Sequence, residues 1–210
     1  MQKRYFLPFF VISCLCSQCI IAQKNAGGVL PAIFKTNNNK VFQDVLGDPG
    51  KYRCQIIYSQ INRDKDNKPH FKNYYFHYDP LLYFNPASTV KMPLAFLSLE
   101  KLNSLTSKGI SKNTPLQIDS SYAWQKPAYN DSSSQNRLPS IAQYIKKAFL
   151  VSDNDAYNRM YQFIGQQSIN QNLHRKGYKN VRITRQFMGL THGQNRYTNQ
   201  FRFLREDGSG

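Results

Sequence analysis

The chain has 210 residues, with 28 Lys and Arg against 12 Asp and Glu, a formal net charge of +16, and four cysteines. That length suits one domain, or one domain and part of a second. At 40% hydrophobic and 14% aromatic residues wholesale disorder is excluded, because such a chain can build a core, while the charge favours anionic partners without choosing among nucleic acid, anionic lipid and a wall polymer.

Residues 1–22 read as an export signal. Gln2-Lys3-Arg4 is a basic start, Tyr5 to Leu15 is apolar, and Cys16 to Ala22 leads into polar Gln23-Lys24-Asn25. This is the order of a signal peptide, and the apolar run is short for a membrane span. Cleavage after Ala22 is preferred; lipid attachment at Cys14 is the second reading and an uncleaved anchor the third. The expected location is periplasmic or extracellular. Cleavage leaves Cys54 alone, so the mature chain has no intramolecular disulfide. Cys54 falls in the alternating run Tyr52–Ile61, where a buried strand cysteine is expected.

Residues 23–39 read as a linker, and 40–210 as one partial domain. A short helix is expected over Lys40–Leu46, stopped by Gly47-Asp48-Pro49-Gly50. Tyr52–Asn62 and Phe71–Tyr78 alternate and are rich in β-branched and aromatic residues, which predicts a hairpin joined by a long polar loop, Arg63–His70. A helix then runs from about Ser88 to Leu105, with Leu94, Leu97, Leu102 and Leu105 near a 3.6-residue period and Pro93 tolerated in its first turns. Ser104–Ser120 and Gln125–Arg137 read as loops, the second holding the patch Asp131-Ser132-Ser133-Ser134. Further helices are expected over Ile141–Leu150 and Asp155–Ile164, the latter closed by Gly165. Asn180–Phe187 reads as a strand. One hairpin followed by helices makes the fold α+β.

Two stretches carry chemistry. Ser88 precedes Lys91 by three residues at a helix start, so the two share one helix face. A serine hydroxyl needs a nearby base to become a nucleophile, a desolvated lysine can serve as one, and helix-start N–H groups can hold an oxyanion. With 17 Ser and 17 Lys, chance alone supplies about one such spacing. The second one, Ser98…Lys101, lies mid-helix and reads as a surface coincidence. Ser152-Asp153-Asn154 is far rarer by chance. Its plain reading is a helix cap, which is compatible with a site.

Ser88-Thr89-Val90-Lys91 after Pro86-Ala87, followed well downstream by Ser152-Asp153-Asn154 between two helices, resembles the penicillin-recognising serine hydrolases, that is, class A β-lactamases and D-alanyl-D-alanine peptidases. The order of elements is also similar: an N-terminal helix, two strands, the nucleophile helix, an all-helical insert, then the Ser-Asp-Asn loop. The resemblance implies a β-lactamase/transpeptidase-like fold with a helical subdomain and an antiparallel sheet, of which two strands are evident. It implies Ser88 as the acylated nucleophile with its own N–H in the oxyanion hole, and Lys91 as its base. Ser152 would relay a proton to the leaving nitrogen, Asn154 would hold the substrate amide and Lys91, and Asp153 would be structural. The substrate would be a β-lactam or a peptidoglycan stem peptide ending in acyl-D-Ala-D-Ala. No cofactor is implied.

Two departures stand out. The Lys-Thr-Gly motif of the family is absent, and the sequence ends at Gly210, short of where that motif would fall after Asn154, which reads as a fragment or a prematurely ended chain. Class A enzymes also deacylate with a glutamate, whose expected position falls near Arg185-Gln186-Phe187, yet no acid occurs from Ala156 to Arg205. Slow deacylation is the expectation. The acid-free stretch holds nine Lys and Arg and supports a rival: a secreted cationic module for an anionic wall polymer (nucleic acid is disfavoured), stacking through Tyr178, Tyr197, Phe201 and Phe203. An inactive family member is the third reading. His70, His77, His174 and His192 have no metal-ligand spacing, so no metal is expected.

Overall fold

The structure, a computed structural model, describes residues 29–204; the export signal expected over residues 1–22 lies outside them. The chain divides between Phe84 and Asn85 into two compact units.

In the first unit, α1 (Val29–Lys35) and α2 (Lys40–Gly47) precede β1 (Ile56–Arg63) and β2 (Pro69–Phe76). The α1 helix occupies part of the stretch read as linker. Its Phe34 ring packs edge-on against Phe42 and Phe76, at 6.0 and 5.1 Å. Asn39 caps α2, its side chain accepting the Phe42 N–H. β1 and β2 pair antiparallel from Ile56 opposite Phe76 to Arg63 opposite Pro69. The expected long loop is therefore only residues 64–68. It is tightened by the Asp64 carboxylate, which accepts the N–H groups of Asp66 and Lys68, and by Asn67 in the left-handed region, with φ 61°. Cys54 is half-buried in the turn before β1, not within a strand as its alternating neighbours suggest.

The second unit opens with a 3-10 turn, Ala87–Val90, that runs into α3 (Lys91–Asn103). Then follow β3 (Leu116–Ile118), α4 (Ile141–Leu150), α5 (Asn154–Ile164), α6 (Gln166–Arg175) and β4 (Phe201–Phe203). α5 is the central element, because every residue from Ala156 to Ile164 is buried. α3, α4 and α6 pack on it, around Leu94, Leu97, Ile141, Tyr144, Tyr157, Met160 and Ile169. Its buried polar side chains are paired, as burial demands: Arg159 donates to the Lys126 carbonyl and to Asp155, and Gln162 to Gln186. β3 and β4 form a second two-stranded antiparallel sheet, with Leu116 opposite Phe203.

The α+β class and the helices over Ile141–Leu150 and residues 154–164 match expectation. Four expectations do not hold. The segment between α3 and Ser152 is not all-helical, since it contains β3 and long irregular stretches around the single helix α4. β3 lies inside a stretch read as loop. The α6 helix falls where none was expected, because its Gln- and Asn-rich sequence buries only Ile169 and Leu173. Residues 180–187 are not a strand; their backbone groups are held by side chains instead. Asn170 bonds both N–H and carbonyl of Ile183, Gln166 donates to the Thr184 carbonyl, Tyr157 donates to that of Arg185, and Asn195 and Asn158 accept the N–H groups of Gln186 and Phe187.

Candidate active site

Four polar side chains from three positions in the second unit converge. Ser88 sits on the exposed 3-10 turn, and Lys91 begins α3. The turn places them one helical step apart, and the Lys91 amine lies 3.1 Å from the Ser88 hydroxyl. Ser152 comes from the loop joining α4 to α5, and Asn154 is the first residue of α5. The Lys91 Nζ is 2.8 Å from Ser152 Oγ and 2.9 Å from Asn154 Oδ1, and it also donates to the Ser152 carbonyl. Ser152 Oγ is in turn 3.0 Å from Ser88 Oγ.

Exposure divides this cluster by role. Lys91 is 3% exposed, whereas Ser88, Ser152 and Asn154 are open to solvent. An amine thus lies beneath two accessible hydroxyls. Burial lowers the Lys91 pKa below the ordinary lysine range, with the Asp153 carboxylate opposing the shift. Five polar atoms thus form one network: Lys91 donates to the Ser88 hydroxyl, the Ser152 hydroxyl and carbonyl and the Asn154 amide oxygen, and Ser152 donates to Ser88.

The loop that delivers Ser152 is fixed by local structure. Ser152 has φ 55°, in the left-handed region, a conformation that costs a non-glycine residue of order 1–3 kcal/mol and persists only where surroundings enforce it. The enforcing contacts are present. Asp153 caps α5, accepting the Ala156 N–H at 3.0 Å, and the N–H groups of Val151 and Asp153 both reach the Lys147 carbonyl. The Lys147 ammonium lies 3.3 Å from Asp131 and 3.7 Å from Asp153. Asp131 is buried, which raises its pKa, but the Ser133 hydroxyl and N–H and the Lys147 charge more than offset this and hold it below the usual carboxylate range. Ala87, the first residue of the 3-10 turn that carries Ser88, is also left-handed, with φ 44°.

Two residues escape the sequence reading. Asp131, hidden in a Ser-rich patch, tethers Lys147 and through it the Asp153 loop. Phe187 places its ring centroid 5.5 Å from the Lys91 Nζ, stacked on Tyr157 at 4.3 Å. Phe187 carries a single sequence signal, its alignment with the expected glutamate. The second Ser-x-x-Lys spacing is not simply a surface feature. Ser98 is fully buried and its hydroxyl has no partner among the described residues. Lys101, though exposed as a residue, turns its ammonium onto the Phe163 carbonyl at 2.5 Å and the Phe163 ring at 4.7 Å. Burial of that ammonium lowers the Lys101 pKa, but among the described residues no hydrogen bond joins it to Ser98.

Among the described residues no three His, Cys, Asp or Glu side chains gather in a metal-binding group. A model of the beta-lactamase enzyme family matches residues 40–203, from α2 through β4. No curated protein matches the chain.

Proposed function

The chain belongs to the beta-lactamase enzyme family, and from that premise we propose that Ser88 forms an acyl-enzyme with a β-lactam or an acyl-D-Ala-D-Ala stem peptide and releases it slowly. One observation carries the reading: a buried lysine amine within hydrogen-bond distance of two solvent-open serine hydroxyls.

The chemistry follows from this placement. Neutral Lys91 accepts the Ser88 proton as Oγ attacks the substrate carbonyl carbon, forming a C–O bond and an oxyanion. N–H groups at the start of the helix, that of Ser88 among them, face the developing charge. As the C–N bond breaks, Ser152 gives its proton to the leaving nitrogen and recovers one from the Lys91 ammonium, which returns to the neutral amine. Asn154 holds Lys91 through the cycle and offers its amide to the substrate. Asp153, with Lys147 and Asp131, keeps Ser152 in its left-handed turn.

Hydrolysis of the ester needs a base that directs water at it. Near residues 185–187, where a carboxylate is expected, stand Gln186, buried and bonded to Gln162 and Asn195, and the apolar ring of Phe187. Neither is a base, so the ester persists. The basic–apolar–small N-terminal run supports an exported protein acting where peptidoglycan lies.

A fluorescent penicillin tests this. The wild-type protein should carry one label per chain through denaturing electrophoresis, and Ser88→Ala none. Rapid multiple-turnover hydrolysis would refute slow deacylation, and equal labelling of Ser88→Ala would refute the nucleophile.

A further inference from the structure

Away from the Ser88 cluster, α6 and the irregular chain after it border an open cavity of about 450 Å³ lined by Gln166, Asn170, His174, Arg182, Thr184 and Arg196, with two further glutamines. This is within the range of small-molecule sites, roughly 300–1,000 Å³. Its lining has two guanidiniums and no carboxylate. Neither Arg182 nor Arg196 has an ion pair or side-chain hydrogen bond among the described residues, a condition they share with Arg137 and Arg185; what sets them apart is that both line the same concavity.

Both arginines are held at the backbone. Arg182 lies between Val181, whose carbonyl accepts from the His174 ring at 3.1 Å, and Ile183, whose N–H and carbonyl are both taken by Asn170. Arg196 ends a 3-10 turn whose middle residue, Asn195, is buried. Asn195 accepts the Gln186 N–H, donates to the Leu190 and Thr191 carbonyls, and receives the Tyr161 hydroxyl on its own carbonyl. The backbone that carries both arginines is thereby held, and their exposed, unpartnered guanidiniums border one concavity, where charge of a single sign favours an anion.

We propose that this cavity binds a phosphate ester. A guanidinium fork saturates the two oxygens of a carboxylate, whereas a phosphate group has oxygens enough for both forks and for the side-chain amides of α6. The cavity is several times larger than one phosphate group, which favours an ester, with its organic part in the remaining space, over the inorganic ion. The site shares no lining residue with the Ser88 cluster, so it stands whether or not Ser88 is acylated.

Titration calorimetry on the full chain, with glycerol 3-phosphate, glycerophosphoglycerol, inorganic phosphate and acetate as probes, tests the proposal. At least one glycerol phosphate should bind more tightly than inorganic phosphate, and acetate most weakly; monoester against diester separates a soluble metabolite from a polymer unit as the source. Arg182→Gln and Arg196→Gln should each weaken binding about tenfold, while Lys179→Gln, outside the lining, leaves it unchanged. Unaltered far-ultraviolet dichroism would show that the variants fold. No phosphate binding by folded wild type, acetate binding equal to phosphate, or an equal loss in Lys179→Gln would each overturn it. So would an oligonucleotide that outcompetes the esters and is weakened as much by Lys179→Gln as by the arginine changes.

Discussion

Lys91 is the residue on which the chemistry turns, and its environment gives a pH dependence. Its pKa is lowered by burial, and in the proposed mechanism the neutral amine acts as the base. Acylation should therefore accelerate as pH rises through that lowered pKa and level off above it. The same shift has a folding consequence. The ammonium form weighs against the folded state, so its contribution to stability improves as pH climbs from the lowered value towards the ordinary lysine pKa. Lys91→Arg keeps the charge but cannot surrender a proton, and we expect it to lose roughly 10²–10⁴ in acylation rate, as Lys91→Met should. Stopped-flow quenching with a chromogenic β-lactam, followed across pH, measures both effects. A flat profile, or an active Lys91→Arg, would remove Lys91 from the base role. The convergence of Ser88, Lys91, Ser152 and Asn154 was legible in the sequence because it is built from two short spacings. Asp131 and Phe187 were not, since each reaches the site by a tertiary path from a part of the chain remote from the motif it serves.

At the level of elements, helix ends were readable where a side chain does the stopping. Ser140 caps α4 by accepting the Gln143 N–H, Asp153 caps α5, and Gly165 terminates it with φ 89°. That conformation suits glycine. A Cβ at position 165 would meet Thr198 at an ordinary 3.8 Å, so the cost of Gly165→Ala is backbone strain alone, of order 1–3 kcal/mol. Thermal melting should show a lowered Tm for Gly165→Ala and none for Gly47→Ala, where open space and an unexceptional φ await the methyl. Equal melting of Gly165→Ala and wild type would contradict this. The elements that sequence reading missed lack local signals. β3 and β4 are single short segments from opposite ends of the second unit's sequence, too brief for alternation to register. The false strand at 180–187 fails for a different reason. Its β-branched residues suit a strand, but side-chain groups from α5, α6 and Asn195 already take many of its backbone groups, among them both those of Ile183, which breaks the continuous ladder a strand partner needs.

On the scale of the whole molecule, the family was legible from two short motifs and their order, whereas the division into two units was not. The boundary falls after Leu81-Leu82-Tyr83-Phe84, an apolar run that masks the linker signal of the Asp79-Pro80 and Asn85-Pro86 pairs on either side of it. The units should differ in local stability. The first rests on a single hairpin, a marginal arrangement alone, with Ile57, Ile61 and Phe71 half or more exposed. The second has α5 enclosed by three helices. Hydrogen exchange followed by mass spectrometry should find the amides of α5 the most protected in the chain and those of β1 and β2 exchanging faster. A hairpin as protected as α5 would contradict the placement of the core.

The most direct measurement is peptide mapping after brief exposure of the full chain to benzylpenicillin. We expect a single penicilloyl adduct on the peptide containing Ser88, still present after prolonged incubation and absent from both Ser88→Ala and Lys91→Met. An unmodified Ser88 peptide in folded wild-type protein, or an adduct located on another side chain, would contradict the account.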